Sequence, residues 1–83
     1  MNMVKQTKVS NSYYCVKYLV STKKAIGRGY ETSVFRVIDH PYQARYEVIW
    51  DAPVFETYNR TWLGAMITHN AQKNYYKSIA DKF

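Results

Sequence analysis

The clearest pattern of hydrophobic and polar positions lies between Tyr30 and Trp50. Residues 44–50 alternate between apolar or aromatic and charged side chains, and this period of two is typical of a half-buried strand. Residues 30–39 are rich in the β-branched and aromatic residues that favour strands. Pro41 has no backbone N–H to donate within a sheet, so we expect the chain to turn there. The two segments are therefore predicted to pair as an antiparallel hairpin.

A second β-forming run, residues 13–20, precedes this hairpin. The intervening segment contains Gly27 and Gly29, which take positive φ without steric cost, and it is predicted as a loop or a long hairpin tip. Residues 13–50 are thus predicted to form a three-stranded antiparallel meander. Residues 1–12 show no sustained period and are predicted to be a basic arm or a frayed edge strand.

A helical period replaces the alternation after Asp51, which is a predicted N-cap, with Pro53 in the first turn. Apolar and neutral positions at three- and four-residue spacing predict one face of this helix: Phe55, Asn59, Trp62, Leu63, Met66 and Ile67. At the same phase the following residues are polar, namely Asn70, Lys73 and Lys77. We therefore predict a break at residues 68–70. A single long helix with an exposed second half is the alternative.

Length and composition place these elements in one domain. The chain has 83 residues and a hydrophobic fraction of 47%, as expected for a small globular protein. The predicted fold class is α+β: a basic arm at 1–12, a three- or four-stranded antiparallel β-meander at 13–50, and one broken or two C-terminal helices at 53–83. The chain lacks both a long apolar run and a secretory signal pattern. With a single cysteine, Cys15, it is expected in the cytoplasm, with no membrane partner.

Positive charge is concentrated in the first third of the chain. The formal net charge is +6, and residues 1–29 contain six basic residues and no acidic one. Residues 30–83 contain six of each, so the whole excess lies before residue 30. Such an asymmetry favours a polyanionic partner, either nucleic acid or an acidic protein surface. The competing interpretation is a solvated basic segment that keeps the protein in solution.

Aromatic residues lie among these basic residues. The chain has nine tyrosines, and aromatic residues make up 17% of it. Single-stranded RNA is held by cations near its phosphates and by rings on which its bases stack, so this mixture predicts RNA binding. The candidate nucleic-acid-binding residues are Lys17, Lys23, Lys24, Arg28, Tyr30, Lys73 and Lys77. Most of the tyrosines are expected simply to pack in the sheet, which leaves two or three rings for stacking.

Few residues suggest catalysis or a cofactor. Cys15, His40 and His69 are too widely spaced in the sequence for a zinc site, and no phosphate loop or dinucleotide motif is present. No metal or cofactor is therefore predicted, and the protein is expected not to be an enzyme. The alternative is a small ribonuclease, whose acid, base and electrostatic groups would be drawn from His69, Lys73, Tyr75 and Tyr76.

In its size, its lysine and tyrosine content and its lack of enzymatic motifs, the chain resembles the small proteins that tailed phages make against host defences. Among these it most resembles a phage-encoded antitoxin that blocks a host endoribonuclease toxin and associates with RNA. The resemblance implies a non-catalytic inhibitor in the host cytoplasm, with RNA and a host toxin or nuclease as partners. An anti-CRISPR protein that docks through Tyr, Trp and Arg contacts is the alternative. The oligomeric state is left open, and a homodimer is compatible with the sequence.

Overall fold

The computed structural model describes residues 3–25, 27, 29–43 and 45–82. Five strands precede one helix, and a short 3-10 turn at Pro41–Gln43 joins the third strand to the fourth. The elements are β1 (Met3–Ser10), β2 (Val16–Lys24), β3 (Tyr30–His40), β4 (Arg45–Val48), β5 (Phe55–Asn59) and α1 (Trp62–Ala80). The predicted α+β class is confirmed, and the sheet has one strand more than the larger number predicted.

The sheet is antiparallel throughout and is built around β3. Strands β1, β2 and β3 lie side by side in sequence order, so residues 3–10 of the predicted arm form an edge strand. β3 is longer than its neighbours on the other side and pairs with two of them. Its residues 37–40 pair with β4, which confirms the predicted hairpin, and its residues 30–34 pair with β5.

The predicted start of the helical region is wrong. Residues 55–59 form a strand, and α1 begins only at Trp62. The N-cap is Thr61, whose Oγ1 accepts a hydrogen bond from the backbone N–H of Gly64 at 3.1 Å, so Asp51 does not have this role. Because β4 is too short to cover the whole of β3, β5 provides the backbone partners that the first half of β3 requires.

The predicted strand at residues 13–20 also begins too early, because a turn occupies its first three positions. The Oδ1 atom of Asn11 accepts hydrogen bonds from the backbone N–H groups of Tyr13 at 2.9 Å and Cys15 at 3.0 Å. Tyr14 has a positive φ of 64°. An asparagine side chain that bonds the backbone in this way stabilises a turn in place of a strand, so β2 begins at Val16.

Helix α1 is continuous through residues 68–70, so the predicted break is wrong. Its buried side differs from the predicted apolar stripe, because Trp62, Leu63 and Ile67 are 55%, 64% and 61% exposed. The residues that it buries are Ala65, His69, Tyr76 and Ala80. No helix in the described part of the chain is both long enough and apolar enough to cross a bilayer.

The main core lies between α1 and one face of the sheet. It is formed by Val9, Val20 and Val34 from three adjacent strands, together with Tyr76 and Ala80 of the helix. Side chains alternate along each strand, so the residues directly before and after each of these valines in the sequence point to the opposite face of the sheet. We call this opposite side the open face and define it by Leu19, Ser21, Lys23, Glu31, Ser33 and Phe35.

Candidate nucleic-acid interface

A groove between the edge strand β1 and helix α1 gathers positive charge. Its volume is about 350 Å³, and its lining includes Lys8, Lys73 and Lys77. Lys5 lies beside it on the same strand, with its Nζ 3.5 Å from the Oδ1 of Asn70 on α1. We call this region the basic groove and define it by Lys5, Lys8, Lys73 and Lys77. The fold thus brings the basic N-terminal segment and the lysines of the C-terminal helix together.

Lys77 is anchored at this groove by two contacts. Its Nζ donates a hydrogen bond to the backbone carbonyl of Ser10 at 2.6 Å and lies 3.4 Å from the Oδ1 of Asp81. Among the residues that the structure describes, Asp81 is the only carboxylate paired with a lysine of the basic groove. The groove therefore keeps a strong positive excess.

Lys8 connects the basic groove to the other side of the sheet. Its Nζ lies 4.8 Å from the centroid of the Tyr46 ring, a cation–π geometry, and Tyr46 belongs to β4. Lysines along an edge strand also have a purely structural role, since they discourage pairing with the edge of another sheet. The convergence of Lys73 and Lys77 on the same edge is not explained by that role, because they lie on the helix.

The predicted RNA-binding residues do not form one surface. Lys73 and Lys77 line the basic groove. Lys17 lines a separate pocket of about 230 Å³ with Arg36, and Lys23 lies on the open face, where it forms an ion pair with Glu31 at 3.6 Å.

Two of the remaining predicted residues, Lys24 and Tyr30, lie near the end of the β2–β3 hairpin. Lys24 is exposed at the end of β2, directly opposite Tyr30, which is half-buried. Arg28 lies outside the described residues. Lys5 and Lys8 were missed because residues 1–12 showed no sustained period, although their position on an edge strand beside the helix makes them part of the basic groove.

Three exposed rings lie on the open-face side of the sheet. Trp50 follows β4 and packs against Phe35, with the ring centroids 5.0 Å apart and the planes at 61°. The Lys8 ammonium lies over the ring of Tyr46, and Tyr58 of β5 lies directly opposite Glu31. All three rings are more than a third exposed, so they are accessible for stacking. The prediction that most tyrosines pack in the sheet is wrong, because six of the nine are exposed, namely Tyr13, Tyr14, Tyr42, Tyr46, Tyr58 and Tyr75.

His69 lies in a buried chain of hydroxyl groups between α1 and the sheet. Its side chain is fully buried, with Nδ1 2.7 Å from the Oγ1 of Thr22 and Nε2 2.8 Å from the Oγ1 of Thr7. Thr22 in turn contacts the Oγ1 of Thr32 at 2.8 Å. A neutral imidazole has one donor and one acceptor nitrogen, and the threonine hydroxyls can supply both partners. Both ring nitrogens are therefore satisfied inside the protein.

The surroundings of His69 disfavour the ribonuclease alternative. Burial, and to a lesser degree the nearby charges of Lys5 and Lys73, lowers the pKa of His69 to about 4, so the ring is neutral at pH 7. Tyr76 is also buried, which raises its pKa, whereas Tyr75 is exposed. General acid–base catalysis needs groups within hydrogen-bonding reach of the substrate. A fully buried His69 cannot contact RNA at the protein surface.

The described residues contain no group of three or more His, Cys, Asp or Glu side chains that could hold a metal ion. Comparison of the chain with protein-family models, with curated proteins and with solved structures finds no match.

Proposed function

We propose that this protein is a non-catalytic binding protein for single-stranded RNA, which it holds in the basic groove. The observation that carries the proposal is the meeting of two basic segments that are remote in sequence. Lys5 contacts Asn70 across 65 positions, and Lys77 contacts Ser10 across 67. Three lysines on the helix side of the sheet, Lys5, Lys73 and Lys77, with one paired carboxylate form an electrostatic binding site for a phosphate backbone.

The lysine composition of the groove supports binding with little sequence preference. A lysine ammonium is a compact point charge on a flexible stem, so it contacts phosphates without the bidentate geometry by which arginine reads bases. The exposed rings on the open face add stacking surfaces, which accept any base. This combination suits a single strand, whose bases are accessible.

The test compares two variants with the same loss of charge. In the groove variant, Lys5, Lys73 and Lys77 are changed to Gln, and in the control variant the changes to Gln are at Lys17, Lys24 and Lys82. Anisotropy of a labelled single-stranded RNA is measured at low salt, and circular dichroism checks that both variants fold. We expect the groove variant to lose at least roughly tenfold in affinity and the control to lose much less, because phosphate contacts depend on local charge. Equal losses, or no RNA binding by the wild-type protein, would contradict the proposal.

We further propose that RNA binding accompanies inhibition of a protein target, of the host endoribonuclease class that the resemblance to phage antitoxins implies. A protein-directed inhibitor that does not use RNA is the second candidate function. It is favoured by the outer side of α1, where Leu63 and Ile67 are exposed one turn apart and Trp62 lies beside them. Exposed apolar and aromatic residues of this kind commonly anchor protein interfaces.

The two candidates differ in which surface inhibition requires. Wild-type protein, the groove variant and a Leu63→Lys, Ile67→Lys variant are co-expressed with a panel of bacterial endoribonuclease toxins, and growth is measured. Loss of protection in the groove variant alone supports an inhibitor that depends on RNA. Loss in the helix variant alone supports the protein-directed inhibitor. Growth arrest by every toxin in the presence of wild-type protein would contradict the antitoxin role.

A further inference from the structure

We propose that the open face carries a pocket for one base of the bound strand, with Trp50 as its stacking wall. The inference rests on the proposed function, because it takes single-stranded RNA as the ligand. The pocket has a volume of about 150 Å³ and is lined by Met3, Ser21, Lys23, Ser33, Phe35 and Trp50. None of these residues except Lys23 belongs to the RNA-binding set expected from the sequence.

The pocket arises from the order of side-chain sizes across β2 and β3. Three directly opposed pairs follow one another on the open face: Leu19–Phe35, Ser21–Ser33 and Lys23–Glu31. The middle pair is small, whereas the pairs on both sides are large. Opposed residues on one face of a sheet lie side by side, so two serines between larger neighbours leave a depression over the centre of the sheet.

Trp50 forms one wall of this depression in a defined orientation. Its ring contacts Phe35 at a centroid distance of 5.0 Å in an edge-to-face arrangement, which is a favourable geometry for an aromatic pair. The side chain of Trp50 is nevertheless 57% exposed. The indole is thus held by Phe35 while much of its surface is accessible to a ligand. Stacking of one base on an aromatic ring is a common mode of single-strand recognition.

The size and the polar floor of the pocket favour a base over an apolar side chain. A cavity of roughly 150 Å³ accommodates a single benzene ring. At the floor, the Ser21 hydroxyl contacts the Sδ of Met3 at 3.2 Å, and the Ser33 hydroxyl contacts the Oε1 of Glu31 at 3.4 Å. A thioether is a weak acceptor and the second bond is long, so both hydroxyls gain from a ligand with a polar edge. An aliphatic side chain would cover them without offering better partners.

The rim of the pocket carries charge suited to a nucleotide. Lys23 lines the pocket and lies 3.6 Å from Glu31, in a partly exposed pair that a phosphate can compete for. Strand β1 borders both sites, because Met3 lines the pocket and Lys8 lines the basic groove. Met3 and Lys8 are five positions apart on the strand, which is a distance of roughly 17 Å. A single-stranded RNA that crosses the edge of the sheet at β1 can therefore occupy the basic groove and the pocket together.

The test uses Trp50 as its own reporter. The chain contains two tryptophans, and Trp62→Phe leaves Trp50 as the single one. Trp50 emission and binding are measured with an eight-nucleotide single-stranded RNA and with an abasic strand of the same length and charge. We expect the base-containing strand to quench Trp50 and to bind about 5- to 150-fold more tightly than the abasic strand, as stacking of one base implies.

A second measurement, by anisotropy of labelled strands, uses Trp50→Ala with Trp62→Ala as its matched control. Trp50→Ala should remove most of the advantage of the base-containing strand and leave abasic binding unchanged, whereas Trp62→Ala should alter neither. Equal binding of the base-containing and abasic RNA strands, with unchanged Trp50 emission, would contradict the proposed base pocket but not RNA binding in the basic groove. If neither strand binds, the proposed function fails and the pocket with it. Quenching by a tyrosine-containing peptide, where RNA causes none, would overturn the base pocket in favour of a protein ligand.

Discussion

His69 is the residue through which the middle of α1 is joined to the sheet. Its two ring nitrogens contact hydroxyl groups of Thr7 on β1 and Thr22 on β2, and no part of its side chain is exposed. A buried polar side chain costs free energy unless it is hydrogen-bonded, and a buried charge costs much more. The contact between helix and sheet should therefore depend on the protonation state of this ring and on the hydroxyls around it.

The first prediction concerns pH. The unfolded chain binds the His69 proton near pH 6.5, whereas burial lowers the folded-state pKa to about 4, so the unfolded state binds more protons between these values. The contribution of neutral His69 is complete above about pH 7 and is lost as the pH falls, by about 2 kcal/mol at pH 5. Urea unfolding at pH 7.5 and pH 5 should show this loss in wild-type protein but not in His69→Gln. His40→Gln is the control and should behave as wild type; an equal loss in His69→Gln would contradict the prediction.

The second prediction concerns the Thr22 hydroxyl, which lies at the centre of the buried chain of hydroxyl groups around His69. Thr22→Val keeps the shape of the side chain but removes the group that contacts both His69 and Thr32. Leaving buried polar groups unsatisfied should lower the free energy of unfolding by about 1–3 kcal/mol at pH 7. Thr57→Val, at a half-buried position on β5, is the matched control and should change it by less than about 0.5 kcal/mol. Comparable losses of unfolding free energy in the two variants would show that the buried chain of hydroxyl groups adds no particular stability.

At the scale of elements, sequence patterns identified the hairpin around Pro41 but not β5. The hairpin could be predicted because its alternation and its turn residue are local. The segment that forms β5 alternates equally well, with Phe55, Thr57 and Asn59 less exposed than the residues between them, yet it also fits a helical stripe. The strand forms in place of the helix because residues 30–34 of β3, which β4 does not reach, need backbone partners. These residues are remote in sequence, so a local pattern does not show that they will pair with this segment.

The buried side of α1 could not be predicted for a related reason. Periodicity favours Leu63 and Ile67 as core residues, whereas the helix buries Ala65 and His69 in their place. A histidine is acceptable inside because Thr22 of β2 provides a hydroxyl partner. That partner is 47 positions away, so the sequence alone does not reveal it.

The third prediction tests the close approach of β5 to the turn before β3. Gly27 and Gly29 have similar positive φ values of 92° and 96°, so alanine is strained at both. A Cβ at Gly29 would lie 2.5 Å from the Tyr58 hydroxyl and 2.6 Å from the backbone oxygen of Asn59, whereas Gly27 has no atom this close. Gly27→Ala should cost about 1–2 kcal/mol. Gly29→Ala should cost a further ~1–3 kcal/mol in thermal unfolding, and equal costs would contradict this packing.

The fourth prediction tests where α1 begins. Thr61→Ala removes the oxygen that accepts the Gly64 N–H, which should cost about 1 kcal/mol and lower Tm by roughly 4–8 °C. Thr61→Ser keeps that oxygen and should stay close to wild type. Asp51→Ala should also have little effect, because Asp51 lies before β5. A larger loss in Asp51→Ala than in Thr61→Ala would contradict this start of the helix.

At the scale of the whole molecule, charge composition indicated a polyanion but not where it would bind. The excess of basic residues before residue 30 and the lysines of the C-terminal helix were both evident. Their union in the basic groove depends on the contacts of α1 with β1, and on the alternation that places Lys5 on the helix side. Three of the predicted residues instead lie away from the groove, because they belong to β2 and not to the edge strand β1: Lys17, Lys23 and Lys24.

The last prediction separates the contribution of charge from that of stacking. For a single strand, each neutralised phosphate contributes about −0.7 to the slope of log K against log salt concentration. Changing Lys5, Lys73 and Lys77 to Gln should therefore make the slope shallower by about 2 if each lysine contacts one phosphate. Trp50→Ala should lower affinity at every salt concentration and leave the slope unchanged, because a stacked ring releases no counterions. Parallel slopes for the groove variant and wild type would show that the RNA lies elsewhere on the protein.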